Sequence, residues 1–132
     1  VSMIPTTTGA AKAVTMVIPE LEGKLDGMAI RVPTPNVSLV DLVCELEKPT
    51  SAEEVNAVLK AAHDGPLKEN MGYSEEPLVS CDYMGSTYGG VVDSLTTTVM
   101  DKSMLKLIIW YDNEAGFTNQ LLRLIRKVAK SL

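Results

Sequence analysis

The chain has 132 residues, of which 45% are hydrophobic and 22% are charged, a balance typical of one globular domain that can bury a core without disulfides or metals. Its net charge of −5 at pH 7 argues against a nucleic-acid-binding surface, which needs clustered lysines and arginines, and no apolar run is long enough to span a bilayer. The two cysteines and the one histidine form no CxxC motif and no histidine cluster, so we expect no metal site.

The start of the chain carries no signal for export. Val1-Ser2-Met3-Ile4-Pro5 lacks the basic segment and the long apolar segment of a signal peptide, so we expect a cytoplasmic protein. The residues that predict the first helix lie within the first ten of the chain. We interpret this early start as a sign that the chain is part of a longer protein.

The first helix is predicted to begin after Thr8 and to end before Pro19. Thr8 is a good N-cap candidate, and the alanines that follow it favour a helix. Pro19 disfavours a helical conformation in the residue before it. A short strand is then predicted over residues 28–32, where Pro33 interrupts it because proline cannot donate to a sheet ladder.

A longer strand is predicted over residues 37–46. Its even positions form one apolar face, while Asp41 and Glu45 point the other way. That face consists of Val40, Leu42, Cys44 and Leu46.

A second helix is predicted in the segment that follows. Thr50 with Glu53, and Ser51 with Glu54, each fit the capping-box pattern at its start. Asp64-Gly65-Pro66 ends it. The apolar stripe of this helix is predicted to be Val55, Val58, Leu59 and Ala62.

The last third of the chain predicts three strands and a final helix. A polar, glycine-rich loop at 86–90 and a turn at Asp101-Lys102-Ser103 separate the strands. The strands are predicted over residues 78–83, 91–100 and 104–111, and the helix over residues 118–131. Runs of strands joined by short turns favour an α+β fold, with a mostly antiparallel or mixed sheet and helices packed on one face.

Two features in the first third could bind an anion. Thr8 and Gly9 precede a helix, whose N-terminus offers unpaired N–H groups and partial positive charge. Arg31 lies at a strand end, where a guanidinium can bind phosphate in fork geometry. The alternatives are a simple helix cap for Thr8 and a surface ion pair for Arg31.

A third candidate is the polar run that follows the last strand, Trp110-Tyr111-Asp112-Asn113-Glu114. A strand end that delivers polar side chains is a common way to build a site, although an aromatic core residue followed by a turn explains the same pattern. His63 is better explained as a surface residue at a helix end. Cys44 and Cys81 lack an activating neighbour in sequence, so neither is expected to be a nucleophile.

Read together, three segments resemble one enzyme family. They are MIPTTTGAAKAV at residues 3–14, GMAIRVPTPNVS at 27–38 and WYDNE at 110–114. The family is phosphorylating glyceraldehyde-3-phosphate dehydrogenase, and the resemblance covers the whole chain in order. Related erythrose-4-phosphate dehydrogenases typically have cysteine at the position of Tyr111, so this tyrosine favours the glycolytic type.

The resemblance implies roles for five residues. Thr8 and Gly9 match the family's inorganic-phosphate site, and Arg31 matches a phosphate-binding arginine. Asn113 matches the residue that holds the nicotinamide carboxamide of NAD, and Phe117 stands where a tyrosine usually lies beside the nicotinamide. The family also forms homotetramers, so a homo-oligomer is expected.

The resemblance also implies what is missing. The family's nucleophilic cysteine, the histidine that activates it and the NAD-binding Rossmann domain lie upstream of the first residue. Neither cysteine of this chain nor His63 aligns with that pair. Residues 1–132 are therefore expected to be a partial catalytic domain without catalytic residues, because a nucleophile and its base act as a unit.

Three expectations follow for the isolated chain. It should be inactive and bind NAD only weakly. Thr8, Gly9 and Arg31 should still form a weak phosphate site. The strands at 37–46 and 104–110 should drive self-association. The alternative to an enzyme fragment is a stand-alone, non-catalytic oligomerisation or interaction module derived from the same family.

Overall fold

The computed structural model describes all residues from 1 to 132 as two compact units, Val1–Pro35 and Asn36–Leu132. In the first unit, strands β1 (Ile4–Thr7) and β2 (Met28–Arg31) pair antiparallel, and helix α1 (Ala10–Val17) follows β1. The predicted first helix and first strand are confirmed. Strand β1 was not predicted, because four residues that include a proline carry no readable alternation.

The start of α1 differs from the prediction by one residue. Gly9, and not Thr8, is the N-cap. The Thr8 hydroxyl oxygen instead accepts a hydrogen bond of 3.2 Å from the backbone N–H of Ala10. Thr8 therefore still supplies an acceptor for one of the free N–H groups at the helix start.

The second unit holds a four-stranded sheet in the order β3-β6-β5-β4. All neighbours are antiparallel except β4 and β5, which are parallel. Its elements are β3 (Ser38–Glu45), α2 (Ala52–Asp64), β4 (Met71–Ser74), β5 (Gly90–Met100), β6 (Met104–Tyr111) and α3 (Ala115–Ala129). The expected α+β fold with a mostly antiparallel, mixed sheet is confirmed.

The prediction of a strand over residues 78–83 is wrong. The segment forms a short 3-10 helix at Ser80–Tyr83. The Asp82 carboxylate accepts a 2.8 Å hydrogen bond from the backbone N–H of Val79, a local contact that competes with strand pairing. The neighbouring strand is β4, which the sequence conceals because it has only four residues and includes Gly72.

Helix α2 begins as its capping box predicts. The backbone N–H of Glu54 donates to the Ser51 hydroxyl over 3.2 Å, and the backbone N–H of Ser51 donates to the Glu54 carboxylate over 3.1 Å. The helix packs against β4 and β5, and the Asn56 amide donates to the Ser94 carbonyl. Of the predicted apolar stripe, Val55, Leu59 and Ala62 are half-buried, whereas Val58 is 70% exposed and does not belong to the packed face.

The sheet buries side chains on both faces. Strand alternation and register place Val92, Leu105 and Leu107 on one face, and all three are buried. Trp110 lies on the other face, where Tyr83 stacks on it with ring centroids 5.5 Å apart. The 3-10 segment thus covers one end of a sheet face, and this was not predicted from the sequence. None of the helices combines the length and the apolar character that crossing a bilayer requires.

The predicted turn between β5 and β6 is confirmed. It is unusual because two residues other than glycine adopt positive φ in it. Asp101 and Lys102 both have positive φ, at 47° and 62°. Two left-handed residues in succession match the hairpin turn whose twist suits antiparallel strands, which normally contains glycine. The Ser103 N–H donates to the Met100 carbonyl over 3.1 Å and closes the turn.

We predict that Lys102→Gly raises the free energy of unfolding by about 0.5 kcal/mol, because glycine adopts positive φ without steric cost. Ser103→Gly, in the same turn but without positive φ, should lower it through lost backbone entropy. Urea unfolding followed by tryptophan fluorescence measures both. Equal effects of the two variants would contradict a strained turn at Lys102.

Candidate functional site

The site is built around the carboxylate of Asp112, which follows β6 directly. One oxygen accepts hydrogen bonds from the backbone N–H groups of Glu114 and Ala115, over 2.9 and 2.8 Å. The other accepts from the backbone N–H of Gly85 and from the Asn36 side-chain amide, each over 2.8 Å. Asp112 is 3% exposed, so three separate segments meet at one buried carboxylate.

Asp112 also decides where α3 begins. The helix starts at Ala115, three residues before the predicted 118, because the carboxylate accepts from N–H groups that otherwise lack partners. A negative charge at this end is also favoured by the helix dipole. The next residue is Gly116, where an added Cβ would lie 2.7 Å from the Tyr88 carbonyl oxygen. Only glycine permits that contact.

The hydrogen bonds shift the proton affinity of Asp112. The N–H of Gly85, followed by that of Ala115, holds the pKa of the Asp112 carboxyl below its usual value, while burial acts in the opposite direction. Donors to a carboxylate favour its charged form. Asp112 is therefore a charged structural anchor, whose four acceptor contacts leave little capacity for a ligand.

Asn113 and Phe117, the predicted cofactor residues, lie in one open depression of about 340 Å³. The Asn113 side-chain oxygen accepts a 3.0 Å hydrogen bond from the Ser38 hydroxyl, so its NH₂ group is left to donate elsewhere. Phe117 is 68% exposed. Tyr111 and Asp112, from the same polar run, and Gly89 and Gln120 also line the depression. Gly89 was not predicted because it is distant in sequence, and Gln120, one turn after Phe117 in α3, was not singled out because a lone glutamine on a helix carries no signal of its own.

The side chain of Arg31, the arginine predicted to bind phosphate, has no partner within the chain. Arg31 is exposed at the end of β2 and makes no hydrogen bond or ion pair. The ion pairs in the structure are Lys60–Glu75 and Lys106–Asp41. The surface ion pair considered as the alternative for Arg31 is therefore not formed.

The register of the first unit separates Arg31 from Thr8. Arg31 is opposite Ile4, and Met28 is opposite Thr7, so Thr8 and Arg31 lie towards opposite ends of the two-stranded ladder. Thr8 follows Ile4 by four residue steps, about 13 Å at the rise of an extended strand. The structure therefore separates Thr8 and Gly9 from Arg31, which the sequence had grouped into one phosphate site.

The reactive side chains do not form a thiol–imidazole pair. The Nδ1 of His63 is 2.8 Å from the Met71 carbonyl oxygen, to which only a protonated Nδ1 can donate. Cys44 lies half-buried in β3, and Cys81 is exposed in the 3-10 segment. Neither thiol is hydrogen-bonded to the imidazole. No group of three or more His, Cys, Asp or Glu side chains is placed to hold a metal ion.

Comparison with known proteins gives a consistent result. The family model described as "Glyceraldehyde 3-phosphate dehydrogenase, C-terminal domain" matches residues 1–113. A glyceraldehyde-3-phosphate dehydrogenase of Geobacillus stearothermophilus is 61% identical over 97% of this chain, and one of Bacillus subtilis is 60% identical over 98%. A chloroplastic one of Arabidopsis thaliana is 52% identical over 97%. The chain spans 38% of the length of the two bacterial relatives and 30% of the plant one.

We predict that Asp112→Asn destabilises the second unit and reduces the pH dependence of its stability. A carboxyl whose pKa is depressed by folding stabilises the fold above its unfolded value, near 3.9, and this stabilisation is lost as the pH falls through the lower folded value. Urea midpoints measured from pH 6 to pH 2 test it. Asp41→Asn, which breaks only an exposed ion pair, should change the midpoint little.

Proposed function

Because the chain belongs to the glyceraldehyde-3-phosphate dehydrogenase family, we propose that it is the C-terminal part of the catalytic domain of an NAD-dependent, phosphorylating glyceraldehyde-3-phosphate dehydrogenase of glycolysis. In this proposal residues 1–132 are a partial catalytic domain, and the Rossmann domain is a separate part of the enzyme. The alternative, a stand-alone interaction module, is not favoured, because the relatives that match almost the whole chain are named as the enzyme.

The observation that carries the cofactor role is the position of Asn113. Its oxygen accepts from the Ser38 hydroxyl, and the carboxylate of the preceding residue, Asp112, binds the backbone N–H groups of the two residues that follow, Glu114 and Ala115. The free NH₂ group is a hydrogen-bond donor next to the exposed ring of Phe117. A carboxamide attached to a flat aromatic ring, as in nicotinamide, suits one donor beside one aromatic side chain.

The phosphate role is proposed for two separate places. Thr8 and Gly9 offer a hydroxyl and backbone N–H groups at the start of α1, where partial positive charge attracts anions. Arg31 offers an unpaired guanidinium at the other end of the ladder. This arrangement suits a reaction that handles two phosphate groups, one on the substrate and one free.

Self-association is proposed from exposed apolar surface in the second unit. Leu39 and Val43 on β3 are 47% and 57% exposed. The apolar face of α3 is exposed as well, with Leu121, Leu122, Leu124, Ile125 and Val128 between 44% and 58%. Leu105 and Leu107 on β6 are buried, so β6 contributes less than we expected from the sequence. A cytoplasmic location remains part of the proposal.

We predict that NAD binds the isolated chain only in the millimolar range, about −4 kcal/mol, with shifts of the Asn113 side-chain amide and the Phe117 ring in NMR spectra. No NADH should form with glyceraldehyde-3-phosphate and phosphate, because neither thiol is hydrogen-bonded to the imidazole that would have to activate it. Asn113→Asp keeps the shape of the side chain but removes the donor, so it should abolish the shifts, whereas Phe117→Tyr should retain them. Turnover above background, or shifts unaffected by Asn113→Asp, would contradict the proposal.

We predict that inorganic phosphate shifts the amide signals of Thr8 and Gly9 at millimolar concentrations. Because the register separates the two places, Arg31→Ala should leave these shifts intact and remove only those around residue 31. Thr8→Val, which keeps the side-chain shape without the hydroxyl, should weaken the first set alone. Loss of both sets with Arg31→Ala would show that one anion bridges both places.

We predict that the chain self-associates as its concentration rises in sedimentation velocity. A few hundred Å² of apolar surface at about 25 cal/mol per Å² is a strong drive, reduced by the ordering cost of association. Val43→Lys on β3 and Ile125→Lys on α3 should each weaken association, and Thr96→Lys, at an exposed polar position of β5, should not. A chain that sediments as a single monomeric species at concentrations up to about one millimolar would contradict the proposed self-association.

A further inference from the structure

The dipeptide Asp–Gly occurs twice in the chain, at Asp26-Gly27 and at Asp64-Gly65. In such a pair the amide nitrogen of the glycine can attack the carboxyl carbon of the aspartate, because the new bond closes a five-membered imide ring. Glycine favours this reaction, since without a Cβ it leaves the nitrogen accessible and the backbone free to rotate. Both dipeptides are exposed, so it is their local conformation that distinguishes them.

Asp26-Gly27 is held near the geometry of this attack. The two residues lie outside regular structure, immediately before β2. The Gly27 N–H donates a 2.8 Å hydrogen bond to the Oδ1 of Asp26, so the nitrogen lies beside the carboxyl carbon to which that oxygen is bonded. A near-attack arrangement places the reacting atoms roughly 3–3.5 Å apart. A Cβ on Gly27 would meet nothing within 4 Å, so the surroundings leave room for the ring.

Asp64-Gly65 is held in a conformation that opposes the attack. Asp64 is the last residue of α2, where helical dihedral angles and the hydrogen bond to the preceding turn fix its backbone. The imide ring would force the ψ of Asp64 away from its helical value. An added Cβ at Gly65 would lie 3.0 Å from the carbonyl oxygen of Ala61, so the glycine is packed against the helix end, and Pro66 restricts it further.

We propose that Asp26 is a site of spontaneous covalent modification, at which the chain forms a succinimide with Gly27 and then an isoaspartate. The Gly27 nitrogen gives up its proton and bonds to the Cγ of Asp26, while the hydroxyl of the protonated carboxyl leaves, so one water is released. A water molecule then opens the ring. Cleavage between the nitrogen and Cγ restores aspartate, and cleavage between the nitrogen and the main-chain carbonyl carbon gives isoaspartate. No oxidant, reductant or cofactor takes part.

The product changes the backbone at the entry to β2. In isoaspartate the main chain runs through the Cβ and Cγ of residue 26, which adds one methylene to the backbone and leaves the former main-chain carboxyl as a free carboxylate. The first residue of β2, Met28, follows Gly27 directly and is opposite Thr7 in a ladder of four pairs. The inserted methylene therefore shifts how β2 enters this short ladder, and pairing should be lost first at the Thr7 end.

The test compares the two dipeptides in the folded 132-residue chain after incubation for weeks at neutral pH. Trypsin releases them in separate peptides, 25–31 and 61–68, by cleaving after Lys24, Arg31, Lys60 and Lys68. Electron-transfer fragmentation distinguishes isoaspartate from aspartate, and the succinimide is lighter by one water. Peptide 25–31 should carry at least about fivefold more of both products than peptide 61–68. In urea the ratio should fall below about twofold, because the conformations that separate the two dipeptides are lost.

Gly27→Ala fits the fold, since the added methyl meets no atom, and it should slow product formation at Asp26 about tenfold by hindering the nitrogen and restricting backbone rotation. Asp26→Glu keeps the charge and should abolish the product, because a six-membered ring closes far more slowly. Asp64→Glu makes the same change in the second dipeptide and should leave the modification of Asp26 unaltered. Equal yields in the two peptides of the folded chain, a ratio that persists in urea, or an unchanged rate in Gly27→Ala would overturn the proposal.

Discussion

The second unit depends on one buried carboxylate. Asp112 receives donors from the segment before β3, from the loop before β5 and from the first turn of α3. Buried charges are tolerated only when hydrogen bonds compensate them, and here the compensating groups are the ends of the elements that frame the depression. The same contacts fix the backbone beside Asn113, so the anchor and the proposed cofactor contact are neighbours in sequence with different tasks.

The anchor also explains a strained residue. Val37 has φ of 71°, a conformation that costs a β-branched residue about 1–3 kcal/mol. Its N–H donates to the Asn36 side-chain oxygen over 2.7 Å, while the Asn36 amide donates to Asp112. Val37 is also buried against Tyr83 and Val91. The strain persists because hydrogen bonds and packing both hold the residue, and it sets the entry into β3.

Sequence reasoning succeeded where the signal was local and failed where it was tertiary. The capping box of Ser51 and Glu54, the end of α1 before Pro19 and the β5–β6 turn were all readable, because their cause lies within a few residues. Strand β4 was missed because its pairing with β5 depends on a distant partner, and the start of α3 was misplaced because the Asp112 contacts were not foreseen. Asn113 and Phe117 came from the family resemblance, whereas the separation of Thr8 from Arg31 needed the strand register.

The most direct test of this account is the titration of the Asp112 carboxyl carbon by ¹³C NMR in the 132-residue chain. The account predicts a midpoint clearly below the usual aspartate value of about 3.9, with the Gly85 and Ala115 amide signals moving at the same midpoint because their N–H groups bind the charged form. A midpoint at or above the usual value, or amide signals that do not follow it, would contradict Asp112 as the anchor of the site.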